Sequence, residues 1–100
     1  MLSTSSRIPR ADEVAYCSAK GGAEKCSLST QLETEQLGIR VSTIYPGAMQ
    51  TEFQMLAGLT PPKNPLPVAD VADVILYAVS RPRYMRLNID ILRNPPKATC

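Results

Sequence analysis

Tyr16 and Lys20 stand four positions apart in the run AYCSAK. On a helix that spacing puts both side chains on one face, within reach of each other. An ammonium beside a phenol favours the phenolate, so such a tyrosine could exchange a proton with a substrate oxygen near neutral pH. A tyrosine and lysine at this spacing also occur on many ordinary helix surfaces, and the surrounding residues decide between the two readings. Ser3 lies thirteen positions before Tyr16, the turn Pro46-Gly47 follows the next apolar run, and Thr51 comes four residues after Gly47. Cys17 and Cys26 fall in the same segment as the pair, but the chain has no histidine and no CxxC motif. Small apolar packing accounts for them better than nucleophilic or metal chemistry, and no metal site is expected.

The elements that must position these residues follow from periodicity. From about Glu13 to Leu37 the chain is rich in Ala, Glu, Gln, Lys and Leu, with Ala19, Ala23 and Cys26 at helical spacing, which predicts one long helix. Gly38 supplies its stop, because glycine takes the left-handed conformation without a steric penalty. The internal pair Gly21-Gly22 weakens a helix unless its small-residue face packs closely against something, a partner subunit being one candidate. Ile39–Tyr45 is short, β-branched and does not alternate cleanly, which predicts a buried parallel strand.

Residues 47–67 carry the apolar cluster Phe53, Met55 and Leu56 and then the run TPPKNPLP, which forbids a continuous helix. A substrate lid and a disordered loop are both open readings of this stretch. After Pro67 the apolar positions Val68, Val71, Ala72, Ile75, Ala78 and Val79 predict a second helix. Asp70 and Asp73 suit its N-terminal dipole, which explains them more simply than an acid/base pair does. Leu87, Ile89 and Ile91 alternate with Asn88 and Asp90, predicting a final strand with one polar face. The order helix, strand, loop, helix, strand is that of an α/β sheet with a crossover helix. Two parallel strands need neighbours on the sheet, so further strands are expected from upstream residues or another chain.

Composition narrows the function. The 100 residues carry 11 basic and 9 acidic side chains, scattered rather than gathered into a basic face, so nucleic acid is not an expected partner. No apolar stretch is long enough to span a bilayer, and the first ten residues lack the apolar core of a secretory signal, so no membrane association is expected. Three cysteines cannot close a complete disulfide framework, and a reducing cytoplasm is the simplest setting.

Ser3, then Tyr16-Cys17-Ser18-Ala19-Lys20, then GIRVSTIYPGAMQTEF from Gly38 to Phe53, together resemble the short-chain dehydrogenase/reductase family. The run LNIDILRNP from Leu87 to Pro95 is further similar to a subgroup acting on short hydroxy acids and small alcohols. The resemblance implies a single partial domain over residues 1–100, the C-terminal part of a Rossmann-like doubly wound parallel sheet. It also implies transfer of hydride between the nicotinamide of NAD or NADP and a carbonyl or alcohol carbon of a small molecule. In that reading Tyr16 is the general acid/base, Ser3 hydrogen-bonds the substrate oxygen, and Lys20 assists Tyr16 and holds the nicotinamide ribose. Pro46, Gly47, Met49 and Thr51 would complete the cofactor contacts, and a homo-oligomer would form through the Tyr16 helix.

The family's glycine-rich turn after the first strand, which holds the pyrophosphate, has no counterpart among the five glycines here. The expectation is therefore a chain lacking the nucleotide-binding half, inactive and unable to hold the cofactor by itself. The alternative expectation is a non-catalytic interaction piece that docks on an intact subunit of the family.

Overall fold

The computed structural model describes residues 1–49, 58 and 64–93. A short 3-10 turn over Thr4–Ser6 opens the chain. It is followed by helix α1 (Val14–Thr34), strand β1 (Thr43–Pro46), helix α2 (Val68–Val79) and strand β2 (Asn88–Ile91). The protein is α/β: β1 and β2 pair in parallel, in the register Thr43 to Asn88 through Pro46 to Ile91, and α2 lies in the crossover between them.

The long helix forms as expected, but its last turn tightens into a 3-10 segment over Glu35–Leu37. Gly38 then ends it at φ 73°, the left-handed conformation that glycine adopts freely. The first strand begins four residues later than the predicted Ile39. At this end the Leu87 N–H donates to the Ser42 hydroxyl rather than to a backbone carbonyl, and regular pairing starts with Thr43 N–H to Leu87 C=O at 2.9 Å. All four β1 residues are buried, as a strand covered on both faces requires. Pro46 ends the strand at little cost, because in a parallel ladder alternate residues face opposite neighbours and its missing N–H points away from β2. Gly47 N–H resumes the bonding to Ile91 C=O at 2.8 Å.

The same alternation turns the Ile44 carbonyl to the other side of β1. There it accepts the Leu2 N–H at 2.7 Å, so the extended start of the chain lies beside β1 opposite β2. Leu2 is buried, and with Ile44, Tyr45, Leu66, Val71 and Ala78 it forms the apolar core. The second strand shows the predicted alternation, with Asn88 and Asp90 exposed and Ile89 and Ile91 half-buried. Of the predicted loop, the apolar cluster at 53, 55 and 56 lies outside the described residues. Its two ends meet, since the Leu66 N–H donates to the Ala48 carbonyl at 2.8 Å and Met49 bridges Leu66 in parallel. α2 follows Pro67 as its N-cap, with no side-chain cap bond, and carries Asp70 in its first turn.

Candidate functional site

The inward face of α1 is polar. Tyr16, Lys20 and Glu24 follow one another at four-residue intervals, with Tyr16 and Lys20 half-buried and Glu24 buried. The Lys20 Nζ sits 5.9 Å from the centroid of the Tyr16 ring, so the structure brings these two predicted residues together. One carboxylate oxygen of Glu13, three residues before Tyr16, is buried with no hydrogen-bond partner. The small residues Ala19, Gly22, Ala23 and Cys26, expected to pack closely, are exposed in this chain. Of the two glycines of α1, Gly21 meets another element: a Cβ built there would lie 3.6 Å from the Ser6 carbonyl oxygen, whereas Gly22 has nothing within 4 Å.

That contact places the turn of Ser3 against α1 one residue beyond Lys20. Ser3 is the N-cap of the Thr4–Ser6 turn and forms a capping box with it. Its Oγ accepts the Ser5 N–H at 3.2 Å, and its own N–H donates to the Ser6 Oγ at 3.1 Å. Near the chain start, where fraying is the ordinary expectation, two reciprocal bonds and the buried Ser5 hold Ser3.

Pro46 and Gly47 lie at the carboxyl end of β1, the end of a parallel strand outside which ligands bind in open α/β sheets. A side chain at Gly47 would put a Cβ 3.3 Å from the Ile91 carbonyl oxygen, a tight contact that β2 would have to yield to, so its approach favours glycine there. Met49 follows in the bridge to Leu66. Thr51 lies outside the described residues.

Sequence reasoning missed the residue that joins these parts. Arg7 ends the Ser3 turn as its C-cap. Its Nε donates to Glu24 Oε2 at 3.3 Å, its Nη1 reaches both Asp90 carboxylate oxygens at 2.8 and 2.9 Å, and its guanidinium carbon lies 3.6 Å from the centroid of the Tyr45 ring. These partners hold the Arg7 guanidinium above its ordinary arginine range, Tyr45 contributing most and Asp90 next. Glu24 offered a signal, because it continues the Tyr16–Lys20 row by one more turn. Arg7 offered none, since its three partners come from three elements distant in sequence.

Among the described residues no group of three or more His, Cys, Asp or Glu side chains could hold a metal ion, and no helix is long and apolar enough to cross a membrane.

A parallel strand pair with a crossover helix, a Tyr-x-x-x-Lys pair on the preceding helix and a Pro-Gly turn at a strand's carboxyl end together define part of a Rossmann-like dehydrogenase domain. Residues 1–61 match the family model for short chain dehydrogenases, and the chain belongs to that family of oxidoreductases. It is 33% identical to an uncharacterised oxidoreductase of Mycobacterium tuberculosis over an 88-residue alignment covering 73% of this chain and 34% of that protein. It is 25% identical to the serine 3-dehydrogenase of Agrobacterium fabrum over 97 residues, 88% of this chain and 39% of that protein. The chain thus spans between a third and two-fifths of the curated relatives it matches.

Proposed function

We propose that residues 1–100 are the proton-handling part of an NAD(P)-dependent oxidoreductase that interconverts an alcohol and a carbonyl on a small molecule. The observation that carries this is the Tyr16–Lys20 pair on α1, the helix on which the Ser3 turn rests at the neighbouring Gly21. The chain's own groups fit a nicotinamide nucleotide in part: an ammonium beside a phenol suits ribose hydroxyls, and Pro46-Gly47 offers backbone groups at the strand end where such ligands bind. When bound, the nicotinamide supplies or accepts the hydride. Tyr16 gives the substrate oxygen its proton on reduction and removes it on oxidation. Ser3 donates a hydrogen bond to that oxygen, and Lys20 assists Tyr16 and contacts the ribose. Thr51 completes the cofactor contacts.

The test joins residues 1–100 in frame to a nucleotide-binding half of the family and follows NADH or NADPH absorbance with short hydroxy acids, hydroxy amino acids and simple alcohols. Tyr16→Phe should lower kcat at least ~100-fold, the scale of general acid-base catalysis. Turnover unchanged by Tyr16→Phe would refute the assignment.

A second reading rests on exposed apolar side chains. Leu76 and Val79 on α2 are 65% and 64% exposed, and the small-residue face of α1 is open as well. These surfaces favour association with a second subunit of the family, and the Tyr16 helix is the proposed contact of a homo-oligomer. Sedimentation of the chain should show concentration-dependent association; a monomer across the accessible range would count against it.

A further inference from the structure

We propose that Arg7 is a positioning residue that fixes the Ser3 turn against the Tyr16–Lys20 row of α1, an inference that rests on the oxidoreductase reading for its purpose but not for its test. The argument is geometric. Ser3 lies on a turn of three residues, and its capping bonds to Ser5 and Ser6 are internal to that turn. They set the local shape of the turn but not where it stands relative to the helix.

Three features do that. Leu2, just before Ser3, is buried and bonds the Ile44 carbonyl of β1; the Ser6 carbonyl rests on α1 at Gly21; and the Arg7 side chain fixes the direction by gripping three elements at once. Glu24, its partner on α1, is one helical turn beyond Lys20 and two beyond Tyr16, on the same face. Tyr45, under the guanidinium, immediately precedes Pro46-Gly47, and Asp90 lies beside it on β2. A single planar cation therefore references the serine, the tyrosine–lysine row and the strand-end turn to one another. Lysine could not substitute, since stacking on a ring while forking to two carboxylates needs a flat group with several fixed donors.

The Arg7 side chain is 43% exposed, whereas that of Glu24 is 11% exposed. Removing the arginine consequently strands a carboxylate that has little access to water, and the turn loses its grip on α1 before the sheet loses its own bonds.

Amide hydrogen exchange by NMR on the 100-residue chain reads this directly, without cofactor or turnover. In Arg7→Met the amides of Ser5, residue 7 and Ile8, all bonded within the turn, should exchange at least ~10-fold faster, while those of Thr43 and Gly47, bonded to the Leu87 and Ile91 carbonyls, keep their rates. Glu24→Gln, which keeps a hydrogen-bond acceptor, should give a smaller effect confined to the same amides, and Arg7→Lys should recover less than half of the protection on a logarithmic scale.

Unchanged turn amides in Arg7→Met would overturn the proposal. So would equal acceleration of turn and strand amides in both Arg7→Met and Glu24→Gln, which would make Arg7 only a contributor to global stability, or a parent chain whose turn amides are unprotected from the start. Loss of the oxidoreductase reading, through a Tyr16→Phe variant that turns over normally, would leave these exchange rates where they are.

Discussion

Arg40 shows how one side chain can gather the carbonyls that follow a helix. The Leu76, Tyr77 and Ala78 carbonyls in the last turn of α2 are bonded by Ser80 and Arg81, whereas those of Val79 and of the chain beyond turn to the Arg40 guanidinium. Its Nη1 donates to the carbonyls of Arg81, Pro82 and Met85 at 2.8, 2.8 and 3.1 Å, and its Nη2 to that of Val79 at 3.2 Å. Since Arg40 lies just ahead of β1, these bonds hold the end of α2 and the approach to β2 against the first strand. Arg40→Met should cost about 1–3 kcal/mol in urea unfolding, lowering the midpoint with little change in slope, because several charge-assisted bonds go and their carbonyls are left poorly paired. Arg40→Lys should recover only a minor part, an ammonium being unable to fan its donors across four acceptors. A midpoint shared by Arg40→Met and the parent chain would show that water satisfies these carbonyls equally well.

Three glycines separate what an element requires from what it tolerates. Gly38 sits at φ 73° with open space around it, so Gly38→Ala meets only backbone strain and should cost about 1 kcal/mol. Gly47 has an ordinary φ but a backbone oxygen 3.3 Å from where its Cβ would be; Gly47→Ala must part the ends of β1 and β2 and should cost about 1 kcal/mol or more, measurable as a lower thermal midpoint. Gly22 has nothing within 4 Å and lies inside α1, where alanine is the better helix former, so Gly22→Ala should raise stability by about 0.5–1 kcal/mol in the monomeric chain. A loss at Gly22 would mean that another chain covers that face.

The sequence disclosed the first and last of these from their settings, Gly38 as a helix stop and Gly22 as an interruption. It disclosed both helices and both strands too, since periodicity is local. It placed the start of β1 too early because Ser42 meets β2 through its hydroxyl, which no propensity records. For the site, the spacing of Ser3, Tyr16 and Lys20 was legible because helix geometry converts four residues into one face. The Arg7 grip was not, because Asp90 lies 83 positions away and only the parallel pairing of β1 with β2 brings it beside Tyr45.

At the scale of the molecule, the same parallel pairing determines what these 100 residues can hold. β1 is flanked by β2 on one side and by Leu2 on the other, and the groups proposed to face ligand all belong to the substrate and nicotinamide end of the family's site. A dinucleotide draws much of its affinity from its pyrophosphate, which in Rossmann-like domains rests on the N-terminal amides of a helix behind a glycine-rich turn. The five glycines of this chain occupy positions 21, 22, 38, 47 and 58, and no three of them make that turn. The α2 N-terminus is no substitute, since it is capped by Pro67 and has Asp70 in its first turn, and a carboxylate there repels a phosphate. Isothermal titration of the 100-residue chain with NADH and with NADPH should therefore show no saturable heat at millimolar ligand. Joined to a nucleotide-binding half, the same residues should bind one of the two in the micromolar range, and Lys20→Met should then weaken that binding while leaving the unfolding midpoint within a few degrees. Micromolar binding by the 100 residues as a monomer would mean that Lys20 and the Pro46-Gly47 turn hold the nicotinamide end strongly enough to need no pyrophosphate cradle.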